Sequence, residues 1–134
     1  MIKGALRTRI VFLIAIETGL LATVFAQSTG VKRDVVQRGD ISVAGREAVV
    51  VHVEIAPGAR TGRHTHPGDE MDYVLEGTGQ LLVDGQPVKP LKPGDASVIP
   101  QGTIHDAYNN GTSPLLIAAV FVVDKGKPLT TPVQ

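Results

Sequence analysis

The stretch from Gly58 to Gly77, GARTGRHTHPGDEMDYVLEG, decides the fold because it joins a His-x-His pair to closely spaced turn residues. His64 and His66 are two positions apart, and on a strand such residues point to the same face. Both imidazoles can therefore aim at one point, about 2.0–2.1 Å from each nitrogen, which is the length of a metal–nitrogen bond. An isolated His-x-His pair is more often two surface residues on a strand, so its context matters.

Two further residues supply that context. Glu70 follows the turn-forming trio Pro67-Gly68-Asp69, so its carboxylate can return from the next strand to the same point. A second stretch, Gly94 to Asn109 (GDASVIPQGTIHDAYN), contributes His105 from a distant strand. Three imidazoles and one carboxylate would leave one or two positions of a five- or six-coordinate ion open for water or substrate.

The rest of the chain after residue 26 consists of short β-like runs separated by Gly, Pro and Asp. Asp84-Gly85 is a two-residue hairpin signal. The 9 prolines and 15 glycines leave no window for a helix of ordinary length. Many short strands at regular spacing predict an antiparallel sandwich or barrel. The predicted strands are Glu47–Ile55, Met71–Glu76, Gln80–Val83, Pro87–Leu91, Ala96–Ile99, Ile104–Tyr108 and Leu115–Val123.

Both quoted stretches match sequence motifs of the cupin superfamily at every specified position. The first motif is matched by Gly58, His64, His66, Glu70 and Gly77, and the second by Gly94, Pro100, Gly102, His105 and Asn109. Ten specified residues at fixed offsets would arise by chance far less often than about one in a billion at average usage. The chain therefore resembles a cupin, and its short inter-motif segment is similar to that of small single-domain bacterial cupins.

The resemblance implies an all-β fold, an antiparallel double-stranded β-helix or jelly-roll barrel, with one divalent metal ion near its centre. It assigns the ligand roles to His64, His66, Glu70 and His105. No cysteine is present, so no thiolate can be a ligand. Three imidazoles and one carboxylate suit Mn, Fe, Co, Ni, Cu or Zn, and ligand type does not choose among them.

Three residues near the first motif are candidates for contact with a substrate. Asp72 lies two positions after Glu70, so strand alternation sends it to the same, inward face. There it could act as a catalytic acid or base, or support a metal ligand from outside the coordination sphere. Arg60 and Arg63 flank the entry to the first motif, and a guanidinium group suits a substrate carboxylate, although surface solvation is the commoner use of such residues.

A cupin metal site of this kind is compatible with three classes of function. The leading hypothesis is a metal-dependent, dioxygenase-type oxidoreductase acting on a small oxygen-rich molecule, as in the small cupin dioxygenases. The alternative is a metal-dependent isomerase or lyase acting on a sugar acid or a similar small substrate, in which the ion serves as a Lewis acid. The third class is a non-catalytic cupin that binds a small ligand.

The first 26 residues differ from the rest. Three basic residues precede an apolar stretch from Ile10 to Ala26 that ends in a small residue, as secretory signals do. Glu17 inside this stretch costs roughly 2.5–3.5 kcal/mol on insertion scales, which disfavours a spanning helix. We therefore expect a signal peptide at 1–26 and one cupin domain at 27–134, with a barrel core at about 47–123. We expect this domain to be exported to the bacterial periplasm or secreted.

The charge and the hydrophobic pattern of the sequence limit the classes of partner that we expect. Lys+Arg and Asp+Glu both number 13, so no excess positive field attracts nucleic acid, and none is expected as a partner. No stable membrane insertion is expected after cleavage of the signal. The long apolar run Leu115–Val123 is interpreted as an exposed edge that invites pairing with a second subunit, which predicts a homodimer.

Overall fold

The computed structural model describes residues 29–134, so the predicted signal peptide at 1–26 lies outside the described residues. Within this range the chain folds into strands, and no helix is long and apolar enough to cross a membrane. The strands are β1 (Val31–Asp40), β2 (Arg46–Ile55), β3 (His64–Thr65), β4 (Gly68–Glu76), β5 (Gly79–Val83), β6 (Lys89–Leu91), β7 (Ala96–Ile99), β8 (His105–Tyr108), β9 (Leu115–Asp124) and β10 (Thr131–Pro132).

The strands form two five-stranded antiparallel sheets that enclose one core. Sheet I has the order β1-β2-β9-β4-β7, and sheet II has the order β10-β3-β8-β5-β6. Apart from the consecutive pairs β1/β2 and β5/β6, neighbouring strands are far apart in sequence, as is typical of a jelly-roll barrel. The predicted all-β, double-stranded β-helix architecture is confirmed.

The core is built mainly by alternate residues of β2 and β9, whose other faces are only partly buried. Leu81 and Leu91 of sheet II pack against this apolar face. Burying each large apolar side chain stabilises the fold by roughly 1.5–3 kcal/mol relative to leaving it exposed. The inward-facing residues of the two central strands are Val49, Val51, Val53, Ile55, Leu115, Ile117, Ala119, Phe121 and Val123.

The interpretation of Leu115–Val123 as an exposed edge is wrong. β9 lies in the middle of sheet I, hydrogen-bonded to β2 on one side and β4 on the other. Its apolar run is explained by full burial of one face and partial burial of the other. The long edge strand of sheet I is β1, on which Val35 and Val36 are 56% and 66% exposed.

Two strands of sheet I differ from the sequence-based prediction. β1 was not predicted, because nine of its ten residues are exposed and its sequence is correspondingly polar. β4 begins at Gly68, inside the trio expected to form a turn. A side chain at Gly68 would overlap the carbonyl oxygen of Val122, so only glycine lets β4 approach β9 this closely. The early start places Glu70 firmly within the sheet.

Candidate metal centre

The candidate site lies between the two sheets. His64 of β3 and His105 of β8 are cross-strand partners in sheet II, and His66 follows β3 directly. Glu70 comes from β4 in sheet I, where it pairs with Phe121 of β9. The three histidines and Glu70 are only 3–7% exposed. The two sheets therefore contribute different chemical groups to one buried point.

The four side chains converge closely. Ligand atoms of the three histidines lie within 4.8 Å of one another. The Oε2 atom of Glu70 lies 3.0 Å from Nε2 of His66 and 3.0 Å from Nε2 of His105. The ring of Phe121 packs against His66, with the two centroids 4.7 Å apart, and so restricts its rotation. The structure brings together all four residues that the motifs assign as metal ligands.

Backbone carbonyl groups determine which nitrogen of each imidazole carries the proton. A carbonyl oxygen can only accept, so each Nδ1–H donates and each neutral ring keeps its lone pair on Nε2. Metal-binding histidines are commonly oriented by such a hydrogen bond on the second nitrogen. The Nδ1 contacts are His64 with Gly62 at 2.6 Å, His66 with Leu129 at 2.6 Å, and His105 with Thr103 at 2.9 Å.

The atoms that converge are thus acceptors without a donor. Nε2 of His66 and Oε2 of Glu70 are buried, and neither finds a hydrogen-bond partner among residues 29–134. Two lone pairs facing each other in a poorly solvated site are unfavourable unless a cation lies between them. These residues therefore fit a bound cation, and a buried three-histidine group could hold a divalent metal ion.

Protons compete for the same atoms. Burial lowers the pKa of His64 to about 4. Burial also disfavours the charged form of His105, but contacts with Glu70 and Thr103 outweigh it and raise the pKa of this residue. Burial alone would raise the pKa of Glu70, but close contacts of its carboxylate with His105 and His66 hold this pKa well below its usual range. A proton on Nε2 of His105 would occupy the atom that binds the metal ion, so metal binding should weaken in acid.

A family model for the cupin domain matches residues 51–123, a range that contains both motifs. This chain belongs to the cupin family. Auxin-binding protein ABP19a from peach (Prunus persica) is 38% identical over 84 residues, covering 59% of this chain and 40% of that protein. The chain spans 31–40% of the length of the curated relatives it matches.

Solved structures show the same fold. An uncharacterised Klebsiella pneumoniae protein with a double-stranded β-helix domain is 26% identical, with a TM-score of 0.64 over 77% of this cupin and 86% of that chain. The polyketide cyclase RemF from Streptomyces resistomycificus is 23% identical, with a TM-score of 0.64 over 81% of this cupin and 74% of that chain. The second likeness shows the fold alone.

Asp72 of this cupin lies on β4 and lines the same cavity as the histidines. Its Oδ1 atom is buried without a hydrogen-bond partner among the described residues. Burial, reinforced by the negative charge of Glu70, raises the pKa of Asp72 to about 9. The carboxyl group therefore keeps its proton at neutral pH when no cation is nearby. A divalent cation at the histidines would lower this pKa again.

A cavity of about 80 Å³ connects the histidine cluster with solvent. Its walls are mainly apolar, which suits a small molecule with an apolar part and a few polar groups. The apolar lining includes Val51, Val53, Ile55, Leu81, Ile117 and Leu129. Arg33, which sequence analysis did not single out, is the sole basic residue among the described residues that line it apart from the histidines.

Arg60 and Arg63 form ion pairs with carboxylates instead of lining the cavity. Nε of Arg60 lies 2.8 Å from a carboxylate oxygen of Asp106, and Arg63 pairs with Asp84. Neither arginine lines the cavity. Their role in substrate binding stays a prediction, and the observed contacts give it no support, because both guanidinium groups already have carboxylate partners.

Asp106 is a supporting residue that sequence analysis missed. It is only 3% exposed. It accepts hydrogen bonds from Thr61 Oγ1 at 3.0 Å and from the backbone N–H of Gly62 at 2.9 Å. The carbonyl group of Gly62 in turn accepts the Nδ1–H of His64. Asp106 therefore holds the loop that orients a histidine, and no local pattern could reveal this, since Thr61 lies 45 residues away in sequence.

Proposed function

We propose that this cupin is a metal-dependent enzyme acting on a small oxygen-rich molecule, with dioxygenase-type oxidation as the leading reaction class. The observation that carries the proposal is the pair of buried acceptors without donors, His66 Nε2 and Glu70 Oε2, beside a cavity open to solvent. A cation resolves that pair, and the cavity gives a small molecule access to it. A purely structural ion would need no such access.

The residues that would hold the ion are His64, His66, Glu70 and His105. Bound there, a transition metal would supply open coordination positions for a substrate and for dioxygen, or act as a Lewis acid. The apolar walls of the cavity would exclude water from the reacting groups. Asp72, with its pKa lowered beside a cation, would accept a proton from a substrate hydroxyl group and hold that group in place.

A second candidate is an isomerase or lyase acting on a sugar acid or a similar small substrate. The observation that favours it is the position of the Asp72 carboxyl group in the same cavity as the histidines, because acid–base chemistry needs a group that exchanges a proton and no dioxygen. A third candidate is a non-catalytic binder of a small ligand. It is favoured by the similarity to ABP19a, a protein named for binding auxin.

Oxygen uptake by the iron- or manganese-loaded protein with candidate substrates separates these functions. A dioxygenase that inserts both oxygen atoms into its substrate consumes one dioxygen for each substrate and needs no external reductant. Turnover that persists without oxygen would assign the protein to the isomerase or lyase class instead. If no candidate turns over in any metal form while a small ligand raises the melting temperature, the protein is a binder, since such a ligand stabilises only the native state. His105→Ala, tested in parallel, is the control for chemistry away from the site.

We also propose export and self-association. Cleavage after Ala26 would leave residues 27–134 as a single-domain cupin in the bacterial periplasm or medium. N-terminal sequencing of the exported form should begin at Gln27, and an intact Met1 would contradict cleavage. The exposed Val35 and Val36 on the edge strand β1 support a homodimer. Light scattering after gel filtration should give the mass of two chains, and a monomer would contradict this proposal.

A further inference from the structure

Arg33 occupies an inward-facing position in the edge strand of sheet I. Its cross-strand partner is Val53 of β2, which is 8% exposed and belongs to the core. Val31, two positions before Arg33 and on the same face, is also buried. Both Arg33 and Val53 line the cavity that leads to the histidines. A guanidinium group therefore stands where the pattern of β1 would otherwise place an apolar side chain.

Arg33 differs from every other arginine in residues 29–134. The other four each pair with a carboxylate, whereas Arg33 has no side-chain ion pair or hydrogen bond within this range. The pairs are Arg38 with Glu47, Arg46 with Asp124, Arg60 with Asp106, and Arg63 with Asp84. A guanidinium group without a partner among the described residues can pair with an anionic ligand in the cavity, and a charge-assisted pair of this kind adds affinity.

The position of Arg33 at the mouth of the cavity is consistent with two further facts. The residue as a whole is exposed. Burial nevertheless lowers the pKa of its guanidinium group, and the negative charge of Glu70 opposes that shift. The side chain is thus partly in water and partly within the protein, in electrostatic reach of the histidine cluster.

We infer that Arg33 binds the carboxylate group of a small ligand whose apolar part packs against Val51, Val53 and Ile117. The planar guanidinium fork matches a carboxylate with two parallel hydrogen bonds. This inference deepens the proposed function, on which it rests for the chemistry that follows binding, by naming organic carboxylates as the substrate class. Recognition of the carboxylate itself requires only the cavity and Arg33.

The alternative is a structural role, in which the charge of Arg33 merely offsets that of Glu70. Benzoate and benzamide separate the two roles, because they share a ring and nearly the same size but only benzoate is an anion. Calorimetric titration of each probe into the zinc-loaded chain should be compared among the wild type, Arg33→Met and the control Arg38→Met. Arg38 lies on the same strand, is exposed and lies outside the cavity.

Arg33→Met is expected to raise the Kd for benzoate at least tenfold and to leave the Kd for benzamide within twofold. Arg38→Met should change neither value. Arg33→Lys keeps the charge without the fork, so it should fold and bind benzoate with a several-fold higher Kd than the wild type. The inference is overturned if Arg33→Met and Arg33→Lys bind benzoate as the wild type does. It is equally overturned if benzoate fails to bind the wild type at millimolar concentration, or if both probes weaken together.

Zinc content measured in the same samples keeps this test separate from the proposed function. If zinc binds and benzoate recognition does not depend on Arg33, the anion inference fails while the metal site stands. If zinc does not bind but benzoate still requires Arg33, the proposed metal-dependent function fails and the anion inference stands.

Discussion

The two sheets of this cupin have different roles. Sheet I contains four strands of nine or ten residues and the short strand β7, and it supplies all of the buried apolar core except Leu81 and Leu91. The strands of sheet II have only two to five residues, yet β3, β8 and the residue after β3 carry the three histidines. Long hydrogen-bonded strands provide rigidity, while short strands flanked by loops provide many carbonyl groups for orienting imidazoles. Stability and ligand geometry are therefore largely separated between the sheets.

The strongest test of this separation is the removal of a histidine from sheet II. His105→Ala should reduce metal affinity by more than about a hundredfold, because losing a ligand costs more than the 10–100-fold typical of losing a supporting partner. His66→Ala should behave alike. Far-UV circular dichroism should remain that of a folded β-protein, since sheet I keeps its core. Elemental analysis after dialysis measures the metal content.

The matched control for these variants is His52→Ala. His52 is the remaining histidine of the chain's four, and it lies on the partly buried face of β2, outside the cavity. Its removal should leave metal content unchanged. Full metal occupancy in both His105→Ala and His66→Ala would refute the site.

The converse test removes a core side chain from sheet I. Leu115 is 0% exposed and does not line the cavity. Leu115→Ala should lower the free energy of unfolding by about 2–5 kcal/mol, as expected for a large-to-small core substitution. The metal-to-protein ratio of the folded fraction should stay that of the wild type. Chemical denaturation and elemental analysis together check this, and a proportional loss of metal would show that the two sheets are not separable.

Asp72 tests the limit of this separation between the sheets, because it lies in sheet I but faces the candidate metal site. Its pKa is about 9 in the folded metal-free protein, above the ordinary value of 3.8 expected when unfolded. The unfolded state therefore gains increasingly from ionisation as pH rises from about 4 toward 9, and the folded state loses stability over this window. Asp72→Asn removes that loss. It should raise the stability of the metal-free protein by about 1–3 kcal/mol at pH 8 and by less at pH 5.

Melting curves of chelator-treated protein at both pH values measure this effect. Asp34→Asn serves as the control, since Asp34 is an exposed carboxylate whose ion pair with Lys32 is screened by water. An Asp72→Asn protein that melts below the wild type at pH 8 would show that the carboxylate is ionised and stabilised in the native state.

The difference between the sheets also explains what the sequence could predict. The two cupin motifs were enough to predict that His64, His66, Glu70 and His105 converge, because they fix the spacing of these residues around short turns. Local spacing was not enough for the role of β9, because an apolar run does not reveal whether neighbouring strands cover both of its edges. β1 was missed because an edge strand needs few apolar residues, and Arg33 was missed with it.

Asp106 gives the smallest and most specific test, because it links a loop of sheet II to the orientation of one ligand. Asp106→Asn keeps the shape but removes the charge that holds the N–H of Gly62 and the hydroxyl of Thr61. The carbonyl group of Gly62 should then hold the ring of His64 less rigidly, and metal affinity should fall about tenfold, the lower end of the range for a supporting partner. Competition with a chelating dye measures that affinity. Asp84→Asn removes an exposed carboxylate that pairs with Arg63 and should change it little. Equal affinities in Asp106→Asn and the wild type would mean that the short strands of sheet II position His64 without this loop.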